Sequence, residues 1–507
     1  MLRYVFGRAL PLSALTLFLS VGINSACSSN ETNEDQSGWG GLSQLGGSPG
    51  LLTRCGGNSE ADGDLAGAEK QRWQATAQAE FKVELRPSEV VKTVVTVLWS
   101  VDRPIKSARV QFGRHEHFPE YEAPVDLNNE QGMSVLLGMK ENAGYEIVVV
   151  AQGCDDEILV SDPLIWRSGY LPNLAPRAVV ADHNEGKLYD GFTLSCNGYG
   201  NARQIDPNGE SSWAMIMDKD GSLVWAYNLT ETPEYGCNRA RMSHDGKHMW
   251  MGNSSFARPT GALRRVSMDG TEFRDYLIPG RHHDFTVLPN GHILYPEQQN
   301  GGGGAGASEG ADNIMQLDPE TGKSILVYDQ NSDFADEIAP VGAHTNHITY
   351  IPELQAFSFS LLYLNTIALL SYPDAELLGV FGGPRDEFGI SWDAQHGHHF
   401  NADSLLVFNN WVEPGVSGTL EFTYDLNEKT RGAVSRYVPQ NRYGTIAFGD
   451  VGRLPNGNTL VTFSSNGVIQ ELDEDGQLLR EITLPTPIGY ATRRATLYGP
   501  PPHLREN

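Results

Sequence analysis

Positive charge is scarce in this chain. Its 507 residues carry 37 Lys and Arg against 63 Asp and Glu, a formal net charge of −26. Such a balance repels nucleic acid and anionic lipid, so a general polyanion-binding role is excluded, and an anionic small substrate would need a local basic pocket. Long apolar runs are equally scarce: after the N-terminal stretch Ala9 to Val21 no segment could span a bilayer. Cysteines number five, with no C-x-x-C, and no H-E-x-x-H occurs, which weakens a metal reading. What is present is ample material for packed cores, with 40% hydrophobic residues, and 55 Gly, 28 Pro, 19 Tyr and 9 Trp that favour strands and turns over helices. The length suggests two to four domains.

The N-terminus reads as an address. Arg3 and Arg8 flank the start, the apolar run follows, and it ends in Ile23-Asn24-Ser25-Ala26-Cys27. The cationic-then-apolar order is that of a secretory signal over residues 1–26. Small residues before a Cys resemble a bacterial lipobox, with Asn24 where Leu is usual, so Cys27 is the expected lipidation site. Plain secretion is the alternative. Residues 27–70 are mostly Ser, Asn, Gly and Asp, a flexible tether that would hold a folded body off a membrane. With Cys27 acylated, Cys55, Cys154, Cys196 and Cys237 remain for an oxidising compartment, and three pairings are open. A Cys196–Cys237 disulfide is expected, since both lie near the start of a first strand, where neighbouring repeats approach.

Residues 71–169 read as about seven short strands, such as Phe81 to Leu85, Val94 to Trp99, Ser107 to Gly113 and Tyr145 to Ala151, which suggests an immunoglobulin-like or fibronectin type III-like β-sandwich. Beyond it the chain repeats. Asp218-Lys219-Asp220-Gly221, His244-Asp245-Gly246, Leu288-Pro289-Asn290-Gly291, Leu454-Pro455-Asn456-Gly457 and Asp473-Glu474-Asp475-Gly476 each precede a strand-like run. Six units start near 188, 237, 282, 344, 396 and 447, which predicts an all-β, six-bladed β-propeller over residues 170–500.

Seven of the fourteen histidines fall in three clusters at first-strand starts: His282-His283, His344 with His347, and His396 with His398 and His399. Counting back from the turn glycines places Asn238, His283, Asn346 and, after one deletion, His396 on one ring of channel-lining positions. Alternation then puts His344 and His398 on the same face and turns His282, His347 and His399 into the blade. A single such histidine is usually a hydrogen-bonded structural residue, but three clusters at one ring position point to a channel site of ligands, acid–base groups or nucleophiles. No carboxylate repeats alongside them.

These stretches resemble the bacterial arylsulfotransferases over most of residues 70–500. The resemblance rests on His282-His283-Asp284-Phe285 with Leu288-Pro289-Asn290-Gly291, on His344-Thr345-Asn346-His347-Ile348, on Gln395-His396 leading to Phe408-Asn409-Asn410, on Gly449-Asp450-Val451 leading to Leu454-Pro455-Asn456-Gly457-Asn458, and on the tail Gly489-Tyr490 to Tyr498. It implies a sandwich followed by a six-bladed propeller, and transfer of a sulfuryl group from a phenolic sulfate ester to a phenolic acceptor through a covalent sulfo-histidine, with no nucleotide donor and no cofactor or metal. It implies His396 as nucleophile with His283 and His344 as partners; the ring count adds Asn238, Asn346 and His398 as expected substrate contacts, with Arg239 beside them. One departure stands out: the family's Arg after the His-x-Asn motif is replaced by Leu362, in a strand read as Ser358 to Thr366. Arg239 and Arg241 are the candidate substitutes. The Gly301–Gly304 run reads as a surface loop at the site mouth. The rival functions are a non-catalytic ligand-binding propeller and a metal-dependent hydrolase or lyase using the same imidazoles.

Overall fold

The computed structural model describes residues 72–127, 131–197, 212–229, 237–254, 260–299, 310–401 and 403–500, with Leu52 and Cys55. The signal segment, Cys27, nearly all of the tether and the 301–304 glycine run lie outside the described residues. Among the described residues the structure is nearly all β, with one short α-helix at Asn331–Ile338, and no helix is long and apolar enough to cross a membrane.

Two antiparallel sheets come first. Phe81–Pro87, Val95–Val101, Gly132–Leu136 and Asp126–Leu127 form one in that spatial order; Tyr121–Pro124, Ile105–Gly113, Gly144–Gly153 and Ile158–Val160 form the other, with Leu164–Arg167 also paired to 144–153. Their inner faces share Val97, Trp99, Val110, Phe112, Ile147 and Val149, none more than 2% exposed. Each such side chain contributes roughly 1.5–3 kcal/mol of burial. Gly132 is needed beside Trp99, because a Cβ there would stand 2.3 Å from the indole. Cys55–Cys154 is a disulfide in this region, with Cα atoms 5.7 Å apart.

Six further antiparallel sheets follow in a propeller-like succession. The second contains Arg239–Met242, His248–Ser254, Thr260–Ser267 and Phe273–Pro279; the third Thr286–Val287, Ile293–Gln298, Asp312–Asp318 and Lys323–Asp329. The fourth contains Thr345–Ile351, Ala356–Leu361, Thr366–Ser371 and Leu377–Phe381, and the fifth begins Gln395–Phe400, Ser404–Glu413, Val416–Asp425. The sixth runs Asp450–Arg453, Thr459–Phe463, Val468–Leu472, Leu478–Thr483 and ends on Val179–Asp182. First strands touch in chain order, 239–242 against 286–287, then 345–351, 395–400 and 450–453. Gly221, Gly246, Gly291, Gly457 and Gly476, the turn residues of the sequence repeat, all have positive φ, which a residue without Cβ adopts at no steric cost.

The first sheet departs from the sequence reading. Its order is Leu223–Asn228, Trp213–Met217, Phe192–Cys196, then Thr492–Arg494. The position held by a repeat's own first strand is thus filled from the far end of the chain, with Phe192 opposite Arg494 and Leu194 opposite Thr492. Cys196 therefore ends a second strand. It still meets Cys237, and the expected disulfide is present, Cα atoms 5.7 Å apart. A second departure concerns Leu362. The strand closes at Leu361, and Leu362–Leu364 form a 3₁₀ turn capped by Asn365 at φ 51°, so the run to Thr366 is two strands rather than one.

Candidate active site

The starts of the inner strands carry backbone that few residues tolerate. His283 (φ 52°), His344 (φ 54°), Ala394 (φ 56°) and Phe448 (φ 58°) are all left-handed. Non-glycine residues in that region cost free energy and cluster at functional sites. The result is that His282, His283, His344 and His396 converge. The rings of His283 and His344 lie 4.6 Å apart, His282 and His344 6.0 Å, and the Phe448 ring stands 5.7 Å from His283 and 6.1 Å from His396.

The hydrogen bonds of His396 fix its tautomer. Asn410, wholly buried, donates from Nδ2 to the carbonyls of Thr445 and Phe448 at 2.7 and 2.9 Å. Its Oδ1 is thereby turned to His396 Nδ1 at 2.8 Å and can only accept. His396 Nδ1 therefore carries the proton, and the lone pair is on Nε2. Burial lowers the imidazole's proton affinity to a pKa of about 4, so it is neutral at pH 7.

A second chain of contacts backs His283. Asp312 is buried on the third strand of its sheet and accepts the Thr345 N–H at 2.7 Å on Oδ2. Its Oδ1 lies 3.2 Å from His282 Nε2, and His282 Nδ1 lies 2.9 Å from His283 Nδ1. With His282 Nε2–H donating to the carboxylate, His282 Nδ1 accepts from His283 Nδ1–H, which puts the His283 lone pair on Nε2. Burial, then the His344 charge, holds His283 well below the usual imidazole range; burial, then the charge of His282, lowers His344 to about 3. Burial pushes the Asp312 carboxyl up, but the charge and hydrogen bond of His282 overrule it, and it sits below its ordinary value. Arg281 precedes this pair. It is 2% exposed, none of its three guanidinium nitrogens has a hydrogen-bond partner, and burial lowers it to about 10.

Beneath these histidines is an ionic layer. Arg239, wholly buried, reaches Asp284 through Nε and Nη2 at 2.8 and 2.9 Å and Asp450 through Nη1 at 2.7 Å. Burial works against its charge, but the two carboxylates raise its proton affinity above normal. The Tyr490 ring covers it at 4.0 Å, and Tyr490 Oη donates to the Asn346 carbonyl at 2.5 Å. Arg239 is thus already neutralised, and the structure corrects its expected place as a substrate contact: the role it holds is that of a buried ionic tie between sheets. Asn346 is likewise turned inward. It donates from Nδ2 to the Gln395 carbonyl at 2.7 Å and accepts from Ser360 on Oδ1. Asn238 lies beside His283, its Nδ2 3.5 Å from the His283 carbonyl.

The expected alternation of the histidines also fails, and the reason is local. Register shifts lie between Thr345 and His347 and between Gln395 and His398. A bulge resets which face each side chain takes. His347 accordingly points into the interior, Nδ1 2.8 Å from Asp284 Oδ2 and Nε2 3.2 Å from the His398 carbonyl. His398 meets Ser358 Oγ at 2.8 Å and the His347 ring at 4.5 Å, away from the His283 group. His282 joins the site through Asp312 instead of turning into the sheet. Sequence reasoning missed Asp312, Asn410 and Arg281. Asn410 stood inside a quoted motif, Arg281 directly preceded a quoted pair, and Asp312 carried no signal. Leu362 donates its N–H to the His344 carbonyl at 3.1 Å and brings Tyr363 to 4.9 Å from the His344 ring. Among the described residues no group of three or more His, Cys, Asp or Glu side chains is arranged to hold a metal ion.

No curated protein matches the chain. Solved structures with related shape include a catalytically inactive virginiamycin B lyase from Staphylococcus aureus, 15% identical, covering 60% of this chain and 87% of that one with a TM-score of 0.35. Another is the calcium-binding protein regucalcin from Agrobacterium tumefaciens, 12% identical, covering 48% and 73% with a TM-score of 0.33. Neither bears on function. Residues 177–378 match the sequence model of the family Arylsulfotransferase (ASST). The match takes in the first two histidine clusters and stops short of His396, and over this stretch it supports the arylsulfotransferase family.

Proposed function

We propose that the protein transfers a sulfuryl group from a phenolic sulfate ester to a phenolic acceptor through a covalent sulfo-histidine at His396. The observation that carries this reading is the locked tautomer: a neutral imidazole held by Asn410, with its lone pair on Nε2. In the first half-reaction Nε2 attacks sulfur, the S–O bond to the aryl group breaks, and the phenolate leaves with the electron pair. In the second, the acceptor phenol gives its proton to His283 Nε2, its oxygen attacks sulfur, and the N–S bond breaks back to neutral His396. As His283 takes up that proton, its Nδ1–H passes to His282 Nδ1, and the Asp312 carboxylate balances the charge. His344, with Asn238 near His283, would meet the peripheral sulfuryl oxygens. With Leu362 where the family has Arg, the positive field at the site would come from Arg281, buried and unpaired beside His282.

The rest of the reading is architectural. The six successive sheets would be six blades on 170–500, and the N-terminal pair of sheets on 71–169, of four and five antiparallel strands around a shared core, a fibronectin type III-like sandwich. Two disulfides are consistent with an extracellular or periplasmic location, and the lipid anchor at Cys27 and the tether belong to the same proposal. Leu362 favours the one alternative worth testing, a propeller that binds but no longer transfers. Incubation with 4-nitrophenyl sulfate followed by peptide mass spectrometry decides between them. The expected result is an added SO₃ on the His396 peptide, lost in His396→Ala. Labelling at His398 would move the nucleophile, and no labelled histidine with no released phenol would leave the binding propeller.

A further inference from the structure

Of the four converging histidines, two are partly open. The His282 side chain is 19% exposed and His344 is half-buried, whereas His283 and His396 are buried. Among the described residues the cluster is therefore open on the side of His282 and His344. Two other aromatic rings touch the four there. Phe448, beside His283 and His396, is fully buried. Tyr363 is 41% exposed, and its ring centroid lies 4.9 Å from that of His344 with the planes tilted by 40°.

The turn that carries Tyr363 is tied to the site at both ends. Leu362 donates its N–H to the His344 carbonyl at 3.1 Å. Asn365, left-handed at φ 51°, donates its N–H to the Leu362 carbonyl at 3.1 Å, and its Oδ1 accepts the N–H of Ala394, two residues before His396, at 2.8 Å. Leu364 is 6% exposed and belongs to the same apolar core as Phe359 and Leu361. Of the three turn residues Tyr363 alone is exposed. A single exposed aromatic residue is ordinary, but this one is fixed against a ring of the site by a turn that cannot shift without moving two histidine-bearing strand starts. A tyrosine so held offers a broad flat face at little cost in side-chain entropy, and aromatic rings favour one another at centroid spacings of about 4.5–7 Å. Leu362 precedes it where the resembled family has Arg, so this turn presents a ring and hydrocarbon in place of a cation.

We propose that Tyr363 is a positioning residue for the aryl group of the substrate: the ring of the ester or phenol lies against the Tyr363 ring, with its oxygen turned toward His344 and His396. The inference rests on the sulfuryl-transfer reading above, and two measurements on the full chain separate them. In stopped-flow release of 4-nitrophenol from 4-nitrophenyl sulfate, Tyr363→Ala is expected to raise the half-saturating concentration about tenfold and to leave the limiting burst rate within about twofold, because Tyr363 bonds to no reacting atom. Tyr363→Phe, which keeps the ring, is expected to restore the wild-type value. Isothermal titration with benzenesulfonate, whose sulfur is bonded to carbon and cannot be transferred, reads the ring contact without chemistry; binding is expected to weaken about tenfold in Tyr363→Ala and to persist in Tyr363→Phe. Tyr363→Leu keeps bulk but no flat face and decides the matter if Tyr363→Ala fails to fold. A normal burst with an unchanged half-saturating concentration in folded Tyr363→Ala, or a Tyr363→Phe protein as impaired as Tyr363→Ala, would overturn the role of the ring and leave sulfuryl transfer standing. Benzenesulfonate binding that depends on Tyr363, with no burst from the wild-type chain, would overturn transfer and keep the ring contact. No burst and no saturable binding would overturn both.

Discussion

Replacing Asn410 by Ala tests the chemistry without touching a reacting atom. The side chain makes three hydrogen bonds: it accepts from His396 Nδ1 at 2.8 Å and donates to two carbonyls at 2.7 and 2.9 Å. Without Oδ1 the neutral imidazole is free to move its proton to Nε2, the atom required to attack, and the ring loses its anchor apart from a 3.4 Å contact from Nδ1 to the Ala394 carbonyl. One buried hydrogen bond with its orphaned partner is worth about 1–3 kcal/mol. At 1.36 kcal/mol per decade that is roughly a 5- to 150-fold slower first half-reaction. The assay is stopped-flow release of 4-nitrophenol from 4-nitrophenyl sulfate with no acceptor present, so that the burst rate reports His396 sulfation alone. The burst amplitude should stay near one per active chain while its rate falls. Because Asn410 also ties down the carbonyls of Thr445 and Phe448, urea unfolding is measured in parallel and a stability loss of about 1–3 kcal/mol is expected there. A burst at the wild-type rate in a folded Asn410→Ala protein would refute the tautomer argument.

Other outcomes follow from the same geometry. Asp312→Asn should leave the burst intact but slow transfer to weakly acidic phenols more than to nitrophenols, since the relay serves only the proton of the acceptor; equal slowing across acceptors in a plot of rate against acceptor pKa would reject the relay. Asp284→Asn strips Arg239 of its bidentate partner and should cost about 3–5 kcal/mol in urea unfolding; an unchanged midpoint would show that Asp450 suffices. Cys196→Ser with Cys237→Ser, which opens a loop with sequence separation 41, should lower stability by about 4 kcal/mol in the chain-entropy model, read as a fall in melting temperature. His396 and His398 are held neutral when folded, His396 at about 4 and His398 well below 6.5, whereas both would take protons near 6.5 when unfolded. Stability from them is therefore complete above pH 6.5 and falls toward pH 4 by about 1.4 kcal/mol per pH unit for each, which a melting series across that range checks.

The repeat was legible because its signals are local. A tight turn needs a residue that accepts positive φ, and Gly221, Gly246, Gly291, Gly457 and Gly476 announced it in the sequence. The grouping of His283, His344 and His396 was legible for a related reason, since all three stand at strand starts; His282 was not, because alternation turned it away. What failed rested on parity. Counting twos along Thr345–Ile351 turned His347 into its own blade, but a bulge that leaves no composition mark brings it to Asp284 and the His398 carbonyl instead. Pairings between distant segments were also invisible: Asp312 reaches His282 from thirty residues away, and no property of Thr492-Arg493-Arg494 tells that it will lie beside Phe192. The free-looking charge of Arg239 was misread because its two carboxylates come from other sheets.

That strand of three residues ties the fate of the interior to the order in which the polypeptide emerges. Phe192 waits through about three hundred residues for Arg494, a contact whose loop-closure cost slows folding. Tyr490 arrives with the same segment, four positions before Arg494. Until then Arg239, though made early, lacks the phenol ring that lies over it in the complete chain. A nascent chain that ends before residue 490 can hold all seven clustered histidines and most of its sheets, yet it lacks both the strand that completes the first sheet and the ring that covers Arg239. Completion of the first sheet and cover for the buried guanidinium are thus gained together, in one late step of synthesis.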